Sequence, residues 1–196
     1  MGFWAAVTGR SRPKAPRLDA LFHVPSAAIT LETSLGLRPT GAGSVCYRAA
    51  TGNAFQQVQS EVVELLNADP DQPDVELSED EYGFTWLVVR DERAGLDGIA
   101  DLCTDLHAVN TSLEEQGFGP GLLCSLIPFE GADGRRVGLV YLYKQATFYP
   151  FAPQAGTTDR QRDNLLEIQL RDTLAGELPM EQDLGRWLAV WGAPGM

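Results

Sequence analysis

Two apolar runs in the middle of the chain, residues 122–129 and 135–143, have the pattern of neighbouring β-strands. In the second run, Val137, Leu139 and Tyr141 alternate with other apolar residues, so both faces of the strand are apolar. A strand of this kind is typical of the centre of a sheet. The linker ends in Asp133-Gly134, a strong short-range hairpin signal. We therefore expect an antiparallel hairpin in the middle of the sheet.

A second hairpin is predicted from residues 74–78 and 83–90, with a tight acidic turn between them. Residues 44–49 alternate weakly and predict a short strand, whereas Pro39, Gly41 and Gly43 before them predict a loop. The aromatic segment 145–153 is predicted to be half strand and half loop.

Four helices are expected from apolar stripes at helical spacing. The first has Ser26 as its N-cap and ends at Gly36, and the second spans about 53–67. The third and longest covers 96–116, and the fourth follows a Thr158 and Gln161 capping box over 159–175. The second helix is expected to bury one apolar face, made by Phe55, Val58, Val62, Leu65 and Leu66. The tail 178–196 carries Trp187 and Trp191, so we expect it to dock on the body.

These elements predict an α+β fold, with an antiparallel sheet built from two hairpins and packed with about four helices. A length of 196 residues fits one domain, which we assign to residues 18–196. Residues 1–17 are interpreted as a separate N-terminal tail.

Charge separates that tail from the domain. The chain has 27 acidic and 15 basic residues, a net charge of −12, which argues against nucleic acid as a partner. The tail, in contrast, is basic and aromatic. Its residues would suit weak contact with an anionic membrane or a protein partner, and they are Phe3, Trp4, Arg10, Arg12, Lys14 and Arg17. A mobile tail, or a strap that packs Trp4 onto the body, is the alternative.

Cysteine usage and hydropathy predict a cytoplasmic protein. Cys46, Cys103 and Cys124 are an odd number without CxxC spacing, which is typical of reduced thiols. No apolar run reaches the roughly 18–20 residues that span a bilayer. Peripheral attachment at the inner face of the membrane would depend on the tail.

Candidate chemistry is confined to the longest predicted helix. Cys103 and His107 are four residues apart and share a face, as metal ligands or a thiol–imidazole pair would. Carboxylates of Asp101, Asp105, Glu114 and Glu115 lie on the same helix, where a solvated face is the simpler interpretation. Because Cys103 also belongs to the apolar stripe, we assign no catalytic residue, metal site or cofactor. Asn110 is expected to pin a strand, or else to line a binding groove.

Several stretches together resemble one family. They are MGFWAAVTGRSRP, LDALFHVPSAAITLETSLGLRPTGAGSVCY, TDLHAVNTSLEEQGFGPGLLCSLIPF, GRRVGLVYLYKQATFYPFAP and LGRWLAVWGAPG. The chain resembles the actinobacterial and archaeal PspA-associated protein family PspAB over nearly its whole length. This resemblance implies a link to the phage-shock envelope-stress response and to its membrane-binding protein PspA, and it implies no catalytic residues.

The order helix–hairpin–helix–hairpin–helix from residue 53 onward also resembles the YbjN and type III secretion chaperone folds, which makes a homodimer a reasonable expectation. Our prediction is a non-enzymatic adaptor or chaperone-like protein that works through protein contacts near the cytoplasmic membrane. The alternative is a small metal- or thiol-dependent enzyme that uses Cys103 and His107.

Overall fold

A computed structural model describes residues 18–48, 53–68, 74–91, 93, 95–154 and 160–196. Those residues form four α-helices and seven β-strands, which confirms the α+β class with both predicted hairpins. The helices are α1 (Val24–Leu35), α2 (Asn53–Leu66), α3 (Ile99–Glu115) and α4 (Asn164–Leu174); the strands are β1 (Leu37–Pro39), β2 (Ala42–Tyr47), β3 (Val75–Glu79), β4 (Thr85–Arg90), β5 (Leu122–Gly131), β6 (Arg136–Leu142) and β7 (Thr147–Phe151). The predicted tail, residues 1–17, lies outside the described residues.

All seven strands belong to one antiparallel sheet in the order β3-β4-β2-β5-β6-β7, with β1 pairing the far end of β5. The hairpin β5–β6 is central, as the apolar pattern predicted, and its turn uses Gly134 at φ 79°. Strand β2 lies between the two hairpins, where it pairs with β4 on one side and β5 on the other. A segment far from either hairpin in the chain therefore joins them.

The prediction of a loop at Pro39–Gly43 is wrong, because Leu37–Pro39 is a strand and β2 already begins at Ala42. Gly43 lies inside β2 where α3 crosses the sheet. A Cβ at that position would be 2.8 Å from Leu106 Cδ1, so the missing side chain permits the close approach of helix and sheet.

Two predicted helix starts are also wrong. Helix α1 continues directly from a 3₁₀-helix (Leu18–His23), and Ser26 does not cap it but donates a 2.8 Å hydrogen bond to Glu177. Helix α4 begins at Asn164, with Asp163 accepting a hydrogen bond from the Leu166 amide. It cannot begin earlier because residues 161–163 pair with 152–154 as extended chain. Of the predicted capping box, Thr158 lies outside the described residues.

One face of the sheet is covered by helices, with α3 packed on β2, β4 and β5 and α1 beside it. Asn110 links this layer to the sheet. Its Nδ2 donates to the Leu106 carbonyl at 2.7 Å and to Ser125 Oγ on β5 at 2.9 Å, and both residues are 1% exposed. Asn110 therefore pins a strand to a helix, the first of the two roles that the sequence left open.

The other face is covered by the end of the chain, residues 184–196, which we call the C-terminal strap. Trp187 is 6% exposed and stacks on Tyr149 with ring centroids 6.0 Å apart, and Trp191 meets Phe151 edge-on at 4.8 Å. The Tyr149 hydroxyl donates to the Leu188 carbonyl at 2.9 Å. The expectation that the two tryptophans dock on the body is confirmed.

The ion pair between Arg162 and Glu167 holds the strap in place. Glu167, 2% exposed, accepts hydrogen bonds from the Ala152 amide and from Arg162 Nε, both at 2.8 Å. Arg162 in turn donates to the Trp187 carbonyl at 2.5 Å. This arginine therefore connects β7, α4 and the strap through one side chain.

Helix α2 packs less completely than its pattern predicted. Val62 is buried, and Val58 and Leu66 are partly buried, but Leu65 is 59% exposed. Its neighbour β3 is an edge strand of the sheet, and Leu77 on that strand is 50% exposed. Two leucines thus remain in water at one margin of the domain.

Candidate functional site

The structure does not combine Cys103 and His107, the candidate residues for metal binding or thiol chemistry, with other groups into a site. Cys103 is fully buried in the helix–sheet core, and burial, with a smaller contribution from Asp105, raises the pKa of its thiol to about 12. His107 is half-buried, and its ring lies 5.1 Å from that of Phe22. Within the described residues, no group of three or more His, Cys, Asp or Glu side chains could hold a metal ion. The geometry gives the Cys103 thiol no exposed path to a substrate.

Two of the α3 carboxylates, those of Asp101 and Asp105, lie close to Arg93. Arg93 pairs with Asp91 at 3.2 Å and with Asp101 at 2.5 Å. Burial, followed by repulsion from Asp91 and Asp101, raises the pKa of Asp105 to about 6. Glu114 and Glu115 are exposed on the last turn of the helix. The cluster is a set of surface ion pairs beside the half-buried Asp105, whose ionised form is destabilising at neutral pH.

A cavity of about 590 Å³ lies between the second face of the sheet and the C-terminal strap, and we call it the strap cavity. Its size falls within the range of small-molecule sites, roughly 300–1,000 Å³. The sheet contributes Phe84, Leu123 and Leu142, and the strap contributes Val190 and Trp191. The remaining lining residues are Cys46, Arg48, Asp80, Tyr82, Cys124, Lys144, Gln145, Tyr149, Leu188 and Ala189.

Two cysteines form part of the wall. Cys46 on β2 and Cys124 on β5 are register partners, and they are 3% and 8% exposed. A hydrogen bond with Cys124, together with burial, raises the pKa of Cys46 well above its ordinary value. Both cysteines are free, and they contribute small apolar side chains to the cavity wall.

The polar groups of the strap cavity fall into two classes. Asp80 is fully engaged, because its carboxylate accepts from the amides of Tyr82 and Phe84 and from Trp86 Nε1. Arg48 and Lys144 are exposed, and the described residues provide neither with a carboxylate in ion-pair range. The cavity is therefore apolar with two available cations.

The sequence did not predict this site. In the sequence, Lys144 stands beside a run of aromatic side chains, but neither it nor Arg48 belongs to a pattern that predicts a binding site. The aromatic residues of that run are buried, with Tyr141, Tyr143, Phe148, Tyr149 and Phe151 all at most 3% exposed. The first three belong to the core on the helix side of the sheet, and Tyr149 and Phe151 belong to the core under the strap, so the run forms no exposed aromatic surface.

Comparison with known families decides the identity of the chain. The model of the family PspAB, described as PspA associated protein B, matches residues 1–195. The chain belongs to the PspAB family. This assignment confirms the resemblance seen in the sequence, and the family's description links it to PspA.

No curated protein and no solved structure matches the chain. The proposed likeness of this PspAB member to YbjN and type III secretion chaperones in element order therefore remains a prediction. No helix in the described ranges is long and apolar enough to cross a membrane.

The raised pKa of Asp105 predicts that the free energy of unfolding depends on pH. Because the pKa of Asp105 is raised from 3.8 to about 6 on folding, the native state binds more protons than the unfolded state between these values. Stability from this group is therefore present below about pH 4 and is lost as pH rises through about 6. We expect Asp105→Asn to raise the free energy of unfolding at pH 7 by about 1 kcal/mol, after allowance for the partial exposure of Asp105.

Urea unfolding at pH 4 and pH 7 measures the effect. The gain should be much smaller at pH 4, where Asp105 is protonated in the native state and close to half protonated in the unfolded state. The matched control is Asp74→Asn, which removes an exposed carboxyl just before β3. It should leave the free energy of unfolding unchanged at both pH 4 and pH 7. A gain for Asp105→Asn of equal size at pH 4 and pH 7 would contradict the assignment.

Proposed function

We propose that this protein is a non-enzymatic adaptor that binds PspA directly in the envelope-stress response, near the cytoplasmic membrane. The observation that carries the proposal is the match of residues 1–195 to a family described by its association with PspA. The burial of Cys103 supports a role in binding, because a thiol sealed in the core cannot attack a substrate. Chaperone-like behaviour and a homodimer belong to the same proposal.

The margin formed by α2 and β3 is the contact surface that we favour. Strand β3 pairs with β4 on one side, and no described strand pairs with its other side. At the opposite margin, β7 is covered, because the Phe148 amide donates to the Pro179 carbonyl and its carbonyl accepts from Glu181. At the start of this edge, the Asn67 side chain occupies the amide and carbonyl of Val75, at 2.7 and 3.2 Å. The remainder of the edge is where a partner strand could pair with the backbone of β3.

Side chains at this margin indicate the chemistry of the partner. Leu65 is 59% exposed and Leu77 is 50% exposed, which is enough to anchor an apolar contact. The same two elements carry exposed acids, namely Glu61, Glu64, Glu76 and Glu79, of which Glu76 pairs with Arg90 at 3.5 Å. A complementary surface on PspA would present apolar residues among lysines and arginines.

Binding to purified PspA from the same organism tests this surface. We expect the double variant Leu65→Asp, Leu77→Asp to bind PspA at least ten-fold more weakly, since buried apolar anchors dominate interface energies. Isothermal titration calorimetry gives the affinity. The control is Leu165→Asp, an 81% exposed leucine on α4, which should bind like the unaltered protein.

The two parts of the proposal fail separately in this experiment. If the unaltered protein forms no complex at micromolar concentration, direct binding to PspA is wrong. If the double variant binds as tightly as the control, the adaptor role survives and the α2–β3 margin is not the surface.

The tail 1–17 is the second contact that we propose, with anionic membrane. Neutralising Arg10, Arg12, Lys14 and Arg17 to Gln should reduce flotation of the full chain with anionic vesicles, because each basic residue near such a surface contributes roughly 1 kcal/mol. Phe3 and Trp4 stay in place, so the comparison isolates charge. Equal flotation of both proteins at physiological salt would show that the tail does not sense lipid charge.

A further inference from the structure

We propose that the strap cavity binds a small amphiphile with one acyl chain and one anionic group, the class that includes fatty acids and lysophospholipids. The function proposed above does not use this cavity, so the two proposals stand independently. Three observations carry the inference: the apolar walls, the two cations at one end, and the engagement of the Asp80 carboxylate by other donors.

The walls favour a hydrocarbon body. On the sheet side, Leu123 and Leu142 lie on neighbouring strands, pack at the margin of the core under the strap and are only partly buried, and both line the cavity. Val190 and Trp191 of the strap close the opposite side. Displacing water from surfaces of this kind by an apolar chain contributes roughly 25 cal/mol per Å² of buried apolar area.

Topology brings the two cations together. Strands β2 and β6 both run antiparallel to β5, so they are parallel to each other and end on the same side of the sheet. Arg48 follows the end of β2, and Lys144 comes two residues after the end of β6. Since one strand separates them, their backbones are about 10 Å apart, twice the spacing of neighbouring strands.

Contacts fix both cations at this end. The Arg48 amide donates to the Gly121 carbonyl at 3.0 Å, and Lys144 Nζ donates to the neighbouring Pro120 carbonyl at 2.8 Å. The Arg48 guanidinium also lies 5.7 Å from the centre of the Phe84 ring, which lines the cavity. A carboxylate or phosphate between the two would have a cation on each side, with its chain directed along the apolar wall.

The alternatives fit the lining less well. A sugar or nucleotide needs several free hydrogen-bonding groups. Among the described lining residues, three donors occupy the Asp80 carboxylate and Arg160 bonds the Tyr82 hydroxyl, which leaves the amide of Gln145. A neutral apolar ligand would leave Arg48 and Lys144 without a role. In a chain of net charge −12, two cations without an ion pair among the described residues favour an anionic head group.

The test is calorimetric titration of the full chain with sodium laurate, and with a lysophosphatidylglycerol of the same chain length, both below their micelle concentrations. We expect one-to-one binding of at least one of them, at least ten-fold tighter than 1-dodecanol, which has the chain without the charge. The relative affinity of the two anions separates a free carboxylate from a lipid phosphate.

Variants locate the binding. Arg48→Gln with Lys144→Gln should remove the preference for the anion over 1-dodecanol. Leu123→Trp should block the cavity and abolish binding of both ligands. The matched control is Arg90→Gln, an exposed arginine at the opposite end of the sheet, which should bind like the unaltered protein. Circular dichroism and urea unfolding confirm that each variant is folded.

Three results would overturn the proposal. They are no binding of either anion up to 1 mM, equal affinity for anion and alcohol, and an anion preference that persists in the Arg48 and Lys144 variant. Attachment to anionic vesicles without binding of monomeric amphiphile would also overturn it, since that result indicates adsorption to a membrane surface and not occupation of the cavity.

Discussion

The sheet is apolar on both faces, and the rest of the structure depends on covering the second one. Helices α1 and α3 cover the first face, as in other α+β proteins. The second face carries Trp86, Val88, Leu126, Val140 and Phe151, all at most 2% exposed. No described helix lies flat across that face, so the strap has to exclude water from it. Stacking of Trp187 on Tyr149 and the Arg162–Glu167 pair fix the strap in place.

The strap also explains why the domain has a cavity. A single irregular segment cannot match a sheet surface as closely as a helix layer does, because its side chains do not repeat at a fixed spacing. Where the strap meets Pro128 and Gly138 the fit is close, with Gly195 against the proline ring and Met196 beside the glycine. Farther along, between Trp191 and the ends of β2 and β6, the fit is loose and the strap cavity results.

Local patterns predicted the elements well, and long-range contacts explain what they missed. The two-sided apolar pattern placed β6 at the centre, and two tryptophans near the end predicted that the tail docks. The predicted loop at Gly43 was wrong because a glycine that permits close helix packing has the same local sequence pattern as a loop glycine. The start of α4 was missed because residues 161–163 pair with residues 152–154, just beyond β7, a contact that no local pattern contains. Arg48 and Lys144 become neighbours only through sheet topology.

The central claim, that the strap holds the second face closed, is tested most directly by the equilibrium stability of Trp187→Ala, measured by urea unfolding. Trp187 is almost fully buried, so we expect a loss of about 3–5 kcal/mol, typical of removing a buried tryptophan. Leu184→Ala, three residues away and 54% exposed, should cost less than about 0.5 kcal/mol. Unfolding midpoints that are the same for both variants and the unaltered protein would show that the second face does not need the strap.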